Sequence, residues 1–90
     1  MKAAERTVTI RNKLGLHVRP ASLFVERASK FKSDIYIIKD GERVNGKSIM
    51  GVLSLAAEQG SDLTIRAEGE DCEEAVEALS ELVEEGFNEE

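Results

Sequence analysis

His17 is the one histidine of this 90-residue chain and Pro20 its one proline, with Arg19 between them. The stretch Gly15-Leu16-His17-Val18-Arg19-Pro20-Ala21 lies where an alternating pattern of polar and apolar residues gives way to a helical one. A helix start carries outward-pointing backbone N–H groups and the positive end of the macrodipole, so it attracts anions. Gly15 allows a sharp approach to that start which a residue with a Cβ would resist, and Pro20 has no N–H to leave unused in the first turn. Arg19 adds a fixed charge with several donors. Together these parts could hold a phosphoryl group on His17: helix-end donors for its oxygens, Arg19 for its charge, and an uncharged ring nitrogen to attack. On spacing alone, a capping or surface histidine is the competing reading.

The elements that must position these residues can be read from periodicity. Thr7-Val8-Thr9-Ile10 alternates as a half-buried strand does, and Asn12-Lys13-Leu14-Gly15 is the turn that leads to His17. Ala21, Phe24, Val25 and Ala28 then recur at helical spacing. The residue before a proline disfavours helical dihedrals, so the helix start is placed only between Val18 and Pro20. Ser33-Asp34 breaks the pattern, Ile35–Lys39 is rich in β-branched residues, and Asp40-Gly41 turns the chain into Glu42–Asn45, a hairpin. Ser48 is placed to cap a short helix running through Ala57, with Ile49, Val52, Leu53 and Ala56 on its apolar face. Gly60-Ser61-Asp62 ends it, and Leu63–Glu68 alternates again as a strand. Asp71-Cys72-Glu73-Glu74 has the form of a capping box before Ala75, Val76, Leu79, Leu82 and Val83, and Gly86 is a helix stop. The order is strand, helix, strand, strand, helix, strand, helix, with no internal repeat and no linker long enough to divide domains. One domain spanning residues 1–90 is expected, an α+β two-layer arrangement with helices on one side of an antiparallel sheet. The pattern also admits a ferredoxin-like fold.

Composition narrows the function. With no Trp and few aromatics, the core must be built from Val, Ile, Leu and Ala. No run approaches membrane-spanning length, and Met1–Arg6 leads into alternating Thr and Val rather than the apolar block of a signal peptide, so a cytoplasmic protein without membrane insertion is expected. Cys72 is alone, which excludes an internal disulfide and a cysteine metal cluster. A net charge of −6 argues against general nucleic-acid binding, and Tyr36 alone does not make the aromatic, basic sheet face of an RNA-binding domain. The charge is uneven: residues 1–66 hold all 12 Lys and Arg and sum to +5, whereas residues 67–90 are purely acidic and sum to −11. Arg11, Lys13, Arg19, Arg27 and Lys47 could form a basic rim that steers an acidic or phosphorylated partner; a solvated mixed surface is the alternative. Finally, Gly41-Glu42-Arg43-Val44-Asn45-Gly46-Lys47-Ser48 matches the P-loop pattern at each fixed position. Its place in a hairpin, with no long helix after it and no large parallel sheet around it, rejects nucleotide binding.

Gly15-Leu16-His17-x-Arg19-Pro20-Ala21 resembles the active-site signature of the HPr family, the phosphocarriers of the bacterial phosphoenolpyruvate-dependent phosphotransferase system. Lys47-Ser48-Ile49-Met50-Gly51-Val52 is similar to the regulatory-serine segment of the same family, and the resemblance runs from about Thr7 to Phe87. It implies the HPr-like open-faced sandwich of four strands and three helices. It further implies that His17 accepts a phosphoryl group on Nδ1 from phosphorylated Enzyme I and yields it to an enzyme II A-type domain or a regulatory acceptor. Arg19 would neutralise charge in the transition state, and the backbone N–H groups of Val18 and Arg19 would receive phosphoryl oxygens.

By the same resemblance Ser48 would be phosphorylated by an ATP-dependent HPr kinase, besides its ordinary use as an N-cap. Ser22, Ile49, Met50, Leu53 and Ser54 match the family's docking face. Ile49 and Leu53 also fit core spacing, whereas Met50 falls off the apolar stripe and is expected to be exposed. Enzyme I, enzyme II A-type domains, HPr kinase and transcriptional regulators are the implied partners of a monomer that is a carrier rather than an enzyme. No metal and no cofactor is implied. Val18 departs from the alanine usual after the family's histidine, which bears on rate and partner choice. The Gly86–Glu90 ending resembles the nitrogen-regulatory branch, whereas Lys47–Met50 resembles the kinase-regulated sugar branch. The rival reading is an interaction module of HPr-like fold that does not use its histidine; such proteins typically replace that residue, and His17 is present.

Overall fold

A computed structural model of the chain describes residues 2–88. In chain order the elements are β1 (Ala3–Thr9), α1 (Val18–Ala28), β2 (Asp34–Lys39), β3 (Glu42–Asn45), α2 (Ile49–Ser54), β4 (Asp62–Glu68) and α3 (Cys72–Glu84), followed by a 3-10 turn at Gly86–Asn88. The four strands form one antiparallel sheet in the order β1-β4-β2-β3. Register follows the alternation of side chains: Val8 pairs with Leu63, Ile37 with Ile65, Ile35 with Ala67, and Ile37 on its other side with Val44. That alignment gathers the apolar residues on one face.

The helices cover that face. Phe24, Ala21 and Ala28 of α1, Val52 of α2, and Val76, Leu79 and Val83 of α3 meet the sheet in one buried cluster. Burying a side chain such as Phe24, which is 1 % exposed, is worth roughly 1.5–3 kcal/mol relative to leaving it in water. The opposite face is polar and wet. Thr7 and Thr64 share a hydroxyl hydrogen bond of 2.9 Å, the Thr9 hydroxyl donates to Asp62 at 2.7 Å, and Arg66 spans Glu5 and Glu68 at 3.0 and 2.8 Å. The Arg43 guanidinium lies 4.2 Å from the centre of the Tyr36 ring, which occupies the face a base would need.

Three boundaries differ from expectation. β1 starts at Ala3, earlier than its alternating core, because β4 continues to Glu68 and supplies partners for Ala3 and Ala4. α2 stops at Ser54 rather than Ala57: Ala56 turns left-handed (φ 49°), and Leu55 and Ala57 bury themselves from the irregular chain beyond. The capping box at Asp71 does not form. Asp71 makes no side-chain cap, and its carboxylate instead accepts hydrogen bonds from the Lys32 and Ser33 N–H groups and the Ser33 hydroxyl, at 2.8, 3.0 and 2.5 Å. It therefore ties the start of α3 to the loop after α1. As expected, Gly86 ends the helical run with a positive φ of 68°, and Phe87 folds back into the core. Of that chain ending, Glu89 and Glu90 lie outside the described residues.

Hydrogen bonds from the Ser33 hydroxyl and then from the Lys32 N–H hold the Asp71 carboxyl below its ordinary pKa. A depressed folded-state pKa contributes stability that is full above the unfolded value of about 3.9 and is lost as pH falls through the folded value. Asp71→Asn should therefore lower Tm at neutral pH and lack this part of the acid destabilisation. Melts at successive pH values below about 5 check it; parallel pH curves for the two proteins would remove Asp71 from the account.

Candidate functional site

The site is built on the junction between β1 and α1. Asn12 and Gly15 close a turn, with the Gly15 N–H donating to the Asn12 carbonyl at 3.2 Å. Gly15 has a φ of +68°, and a Cβ there would fall 2.4 Å from the Ala57 carbonyl oxygen. Only glycine meets both demands at low cost. The next residue uses the same contact, since the Leu16 N–H donates to the Ala57 carbonyl at 2.9 Å. The chain then reaches His17, the N-cap of α1, in extended conformation (φ −84°, ψ −170°).

His17 makes no side-chain cap, so its ring is not spent on the helix end. Its carbonyl accepts the first helical bond, from Ala21 at 3.0 Å. The intervening N–H groups of Val18 and Arg19 belong to the first turn and point along the axis past the helix end; Pro20, buried, has none. The helix start is thus at Val18, and the proline sits two positions into it. The His17 side chain is half-buried and Arg19 is exposed. The backbone donors and the dipole of the helix start therefore lie beside one imidazole at the protein surface, with Arg19 two residues further on, an arrangement suited to an anionic group that must come and go.

α2 packs against α1. The start of α1 is bonded to the chain leaving α2, through Leu16 and Ala57, while Lys47, just before α2, donates to the Phe31 carbonyl beyond the end of α1 at 2.8 Å. The two helices therefore run in opposite directions. His17 and Ser48 lie at opposite ends of the pair. Ser48 caps α2 as expected: its hydroxyl accepts from the Gly51 N–H at 3.1 Å. Ile49 and Leu53 are half-buried and pack on the core, Met50 is 74 % exposed, Ser22 is exposed, and the exposed Ser54 hydroxyl donates to the Gly51 carbonyl at 2.7 Å.

The expected basic rim divides. Arg11, Lys13 and Arg19 belong to the His17 end, whereas Arg27 is in the last turn of α1 and Lys47 reaches the same end. The P-loop resemblance has no structural counterpart. Gly46 is buried against Ile35, and the N–H groups of Gly46, Lys47 and Ser48 are taken by the Ile35 carbonyl, the Asn45 side chain and the Asn45 carbonyl, at 2.7, 2.9 and 3.1 Å. No cradle of donors remains there for phosphates. One exposed apolar residue lies outside the expected docking set. Leu14, in the turn before His17, is 75 % exposed, more than Val18 at 62 %. A leucine amid turn residues was the available signal.

A small α+β domain with a histidine at a helix start and backbone donors beside it is of the class that can hold an anionic group at its surface. The chain matches the family described as the PTS HPr component phosphorylation site over residues 4–85. It is 49 % identical over 85 residues to a phosphocarrier protein HPr of Xylella fastidiosa, covering 94 % of this chain and 96 % of the relative. It is also 49 % identical to the HPr-like protein Crh of Bacillus subtilis, over 81 residues, 90 % of this chain and 95 % of that one. The crystal structure of an HPr from Thermoanaerobacter tengcongensis superposes with a TM-score of 0.92 at 54 % identity, covering 100 % of this chain and 99 % of that one. A dimer of HPr from that organism gives 0.77 at the same identity, covering 99 % of this chain and 100 % of that one. The chain belongs to the HPr family of phosphotransferase-system phosphocarriers, and its fold is the open-faced α+β sandwich of that family. Among the described residues no helix is long and apolar enough to cross a membrane.

The close approach of Gly15 to Ala57 yields a stability test. Gly15→Ala places a side chain both in left-handed conformation and against a backbone oxygen, and should cost about 1–3 kcal/mol in urea denaturation. A variant as stable as the parent would show that this junction tolerates displacement.

Proposed function

We propose that the chain, acting as one HPr-like domain over residues 1–90, accepts a phosphoryl group on His17 from phosphorylated Enzyme I and passes it to enzyme II A-type domains or regulatory acceptors. The observation that carries this reading is the placement of His17 as an N-cap whose ring is not used for capping, with the first-turn N–H groups of Val18 and Arg19 beside it. A ring nitrogen, Nδ1 by family resemblance, attacks the phosphorus in line. The bond to the donor breaks as the bond to His17 forms, and the second transfer reverses these roles. Val18 and Arg19 N–H groups receive phosphoryl oxygens, and the Arg19 guanidinium offsets their charge. The proposed setting is the cytoplasm and the proposed carrier a monomer, whose half-buried ring at the surface has to meet two partners in turn.

Docking draws on residues around both ends of the α1–α2 pair. Ser22, Ile49, Met50, Leu53 and Ser54 remain the proposed contacts, with Met50 as the exposed apolar anchor. Leu14 and Val18 add apolar area at the His17 end. Val18 points outward at the first helical position, so its difference from alanine acts on partner choice. Ser48 serves as the α2 cap and as the proposed target of HPr kinase, which with transcriptional regulators completes the partner set. A phosphate there carries about two negative charges and acts on docking at the α2 end.

Phosphorus NMR of the protein with phosphoenolpyruvate, magnesium and catalytic Enzyme I should show a phosphohistidine signal, absent in His17→Ala with the fold intact. No signal with active Enzyme I would favour the interaction module. Met50→Asp should weaken Enzyme I binding by about tenfold, the effect of losing about 1.4 kcal/mol at an apolar contact; titration calorimetry checks it, and unchanged affinity would exclude Met50 from docking.

A further inference from the structure

We infer that Asn12 is a positioning residue for His17. Asn12 is 3 % exposed although Arg11 and Lys13 on either side are exposed, so its side chain is turned into the protein while its neighbours face water. A polar side chain buried to that degree is held there by hydrogen bonds. Its Nδ2 donates to the Gly15 carbonyl at 2.7 Å. That same oxygen accepts the backbone N–H of His17 at 3.0 Å. A carbonyl has two lone pairs, and this one receives the Asn12 amide and the His17 N–H together.

The other side of the same peptide plane is also held. The Gly15 carbonyl and the Leu16 N–H belong to one peptide unit, planar by resonance, and the Leu16 N–H donates to Ala57 at 2.9 Å. The plane just before His17 is therefore pinned at its oxygen by Asn12 and at its nitrogen by the chain leaving α2. The His17 N–H to Gly15 bond spans a single residue, a γ-turn, and constrains the orientation of that plane little by itself. Without the Asn12 amide, the plane can pivot about the Leu16–Ala57 bond, and the backbone of His17 moves with it while the bonded turns of α1 stay in place. The distance of the ring from the Val18 and Arg19 donors would then vary.

The consequence is kinetic. A misplacement that leaves the docking surface untouched lowers the rate of transfer at saturation and leaves the half-saturating partner concentration alone. This expectation rests on the carrier reading of His17, whereas the clamp itself does not.

The test uses the full chain. In the parent protein, one side-chain amide proton of Asn12 should exchange with solvent more slowly than the exposed side-chain amide of Asn45, as proton NMR reads directly. Free exchange would overturn the inference without any variant. In Asn12→Ala and in Asn12→Asp, which keeps the size but loses the donor, phosphoryl transfer from phosphorylated Enzyme I at saturation should fall by about tenfold, with half-saturation unchanged within about twofold. Equal rates in folded variants would overturn it, as would a loss that appears only in half-saturation. If either variant fails to fold, the amide exchange of the parent still decides. Failure of the parent to accept phosphoryl from active Enzyme I would count against the carrier reading, and the amide exchange would report on the clamp separately.

Discussion

The contact between the Gly15 backbone and the Ala57 carbonyl is the constraint on which the site depends. A Cβ at position 15 would stand 2.4 Å from that oxygen, so the loop before α1 can lie against the chain leaving α2 only because no Cβ is present. The Leu16 N–H completes the junction. Through it the irregular segment carrying His17 is joined to two helices at once, and α2 gains its attachment to the sheet-covering layer despite being only 6 residues long. An isolated helix of that length has no stability of its own in water. Packing of Val52 and Leu55 into the common core supplies what its hydrogen bonds cannot. The same junction thus fixes the start of α1 and anchors a helix that bears candidate docking residues.

A phosphoryl carrier has requirements unlike those of an enzyme that keeps its substrate enclosed. Holding the group too strongly would deepen the intermediate into a trap, because only interactions stronger in the transition state than in the ground state speed transfer. The geometry here is consistent with moderate holding. The donors at the start of α1 are backbone groups at a helix end, Arg19 is exposed, and His17 is only half-buried. Solvent competes with each contact, and the dipole effect at an exposed terminus is worth about 0.3–1 kcal/mol. On the proposed reading, such a site would give up its group as readily as it takes it. The hydrogen bonds at Gly15 and Leu16 instead hold the backbone that leads to His17.

Much of this was legible in the sequence, for reasons that differ between elements. The strands showed themselves because the sheet has one apolar and one wet face, and a period of two in Leu63–Glu68 has no other simple reading. The start of α1 was legible to within two residues because Pro20 restricts its surroundings from both sides. Asp71 has the sequence pattern of a cap because a capping carboxylate and a carboxylate that bonds a distant loop look alike in sequence; its partners, Lys32 and Ser33, are some forty positions away. The end of α2 was overextended because Leu55 and Ala57 keep an apolar spacing, while the Ala57 carbonyl is required by Leu16. Asn12 read as an ordinary turn residue. Its burial depends on the tertiary junction with Ala57, which no local pattern announces.

The opposed directions of α1 and α2 give the two recognised motifs different physical meanings. In sequence both resemble parts of one phosphorylation system, which invites the idea that they share a site. In space the α1–α2 pair separates them: His17 begins α1, and Ser48 begins α2 near the other end of α1. At an ionic strength near 0.15 M, exposed charges more than about 8 Å apart are largely screened. On the proposed reading, a phosphate on Ser48 would meet His17 chiefly through a partner that covers both ends of the pair. Met50, two residues from Ser48 and highly exposed, lies where such a partner would meet that charge first. On the proposed reading, one surface would combine transfer at one end with control at the other, provided that the partner is broad enough to span both.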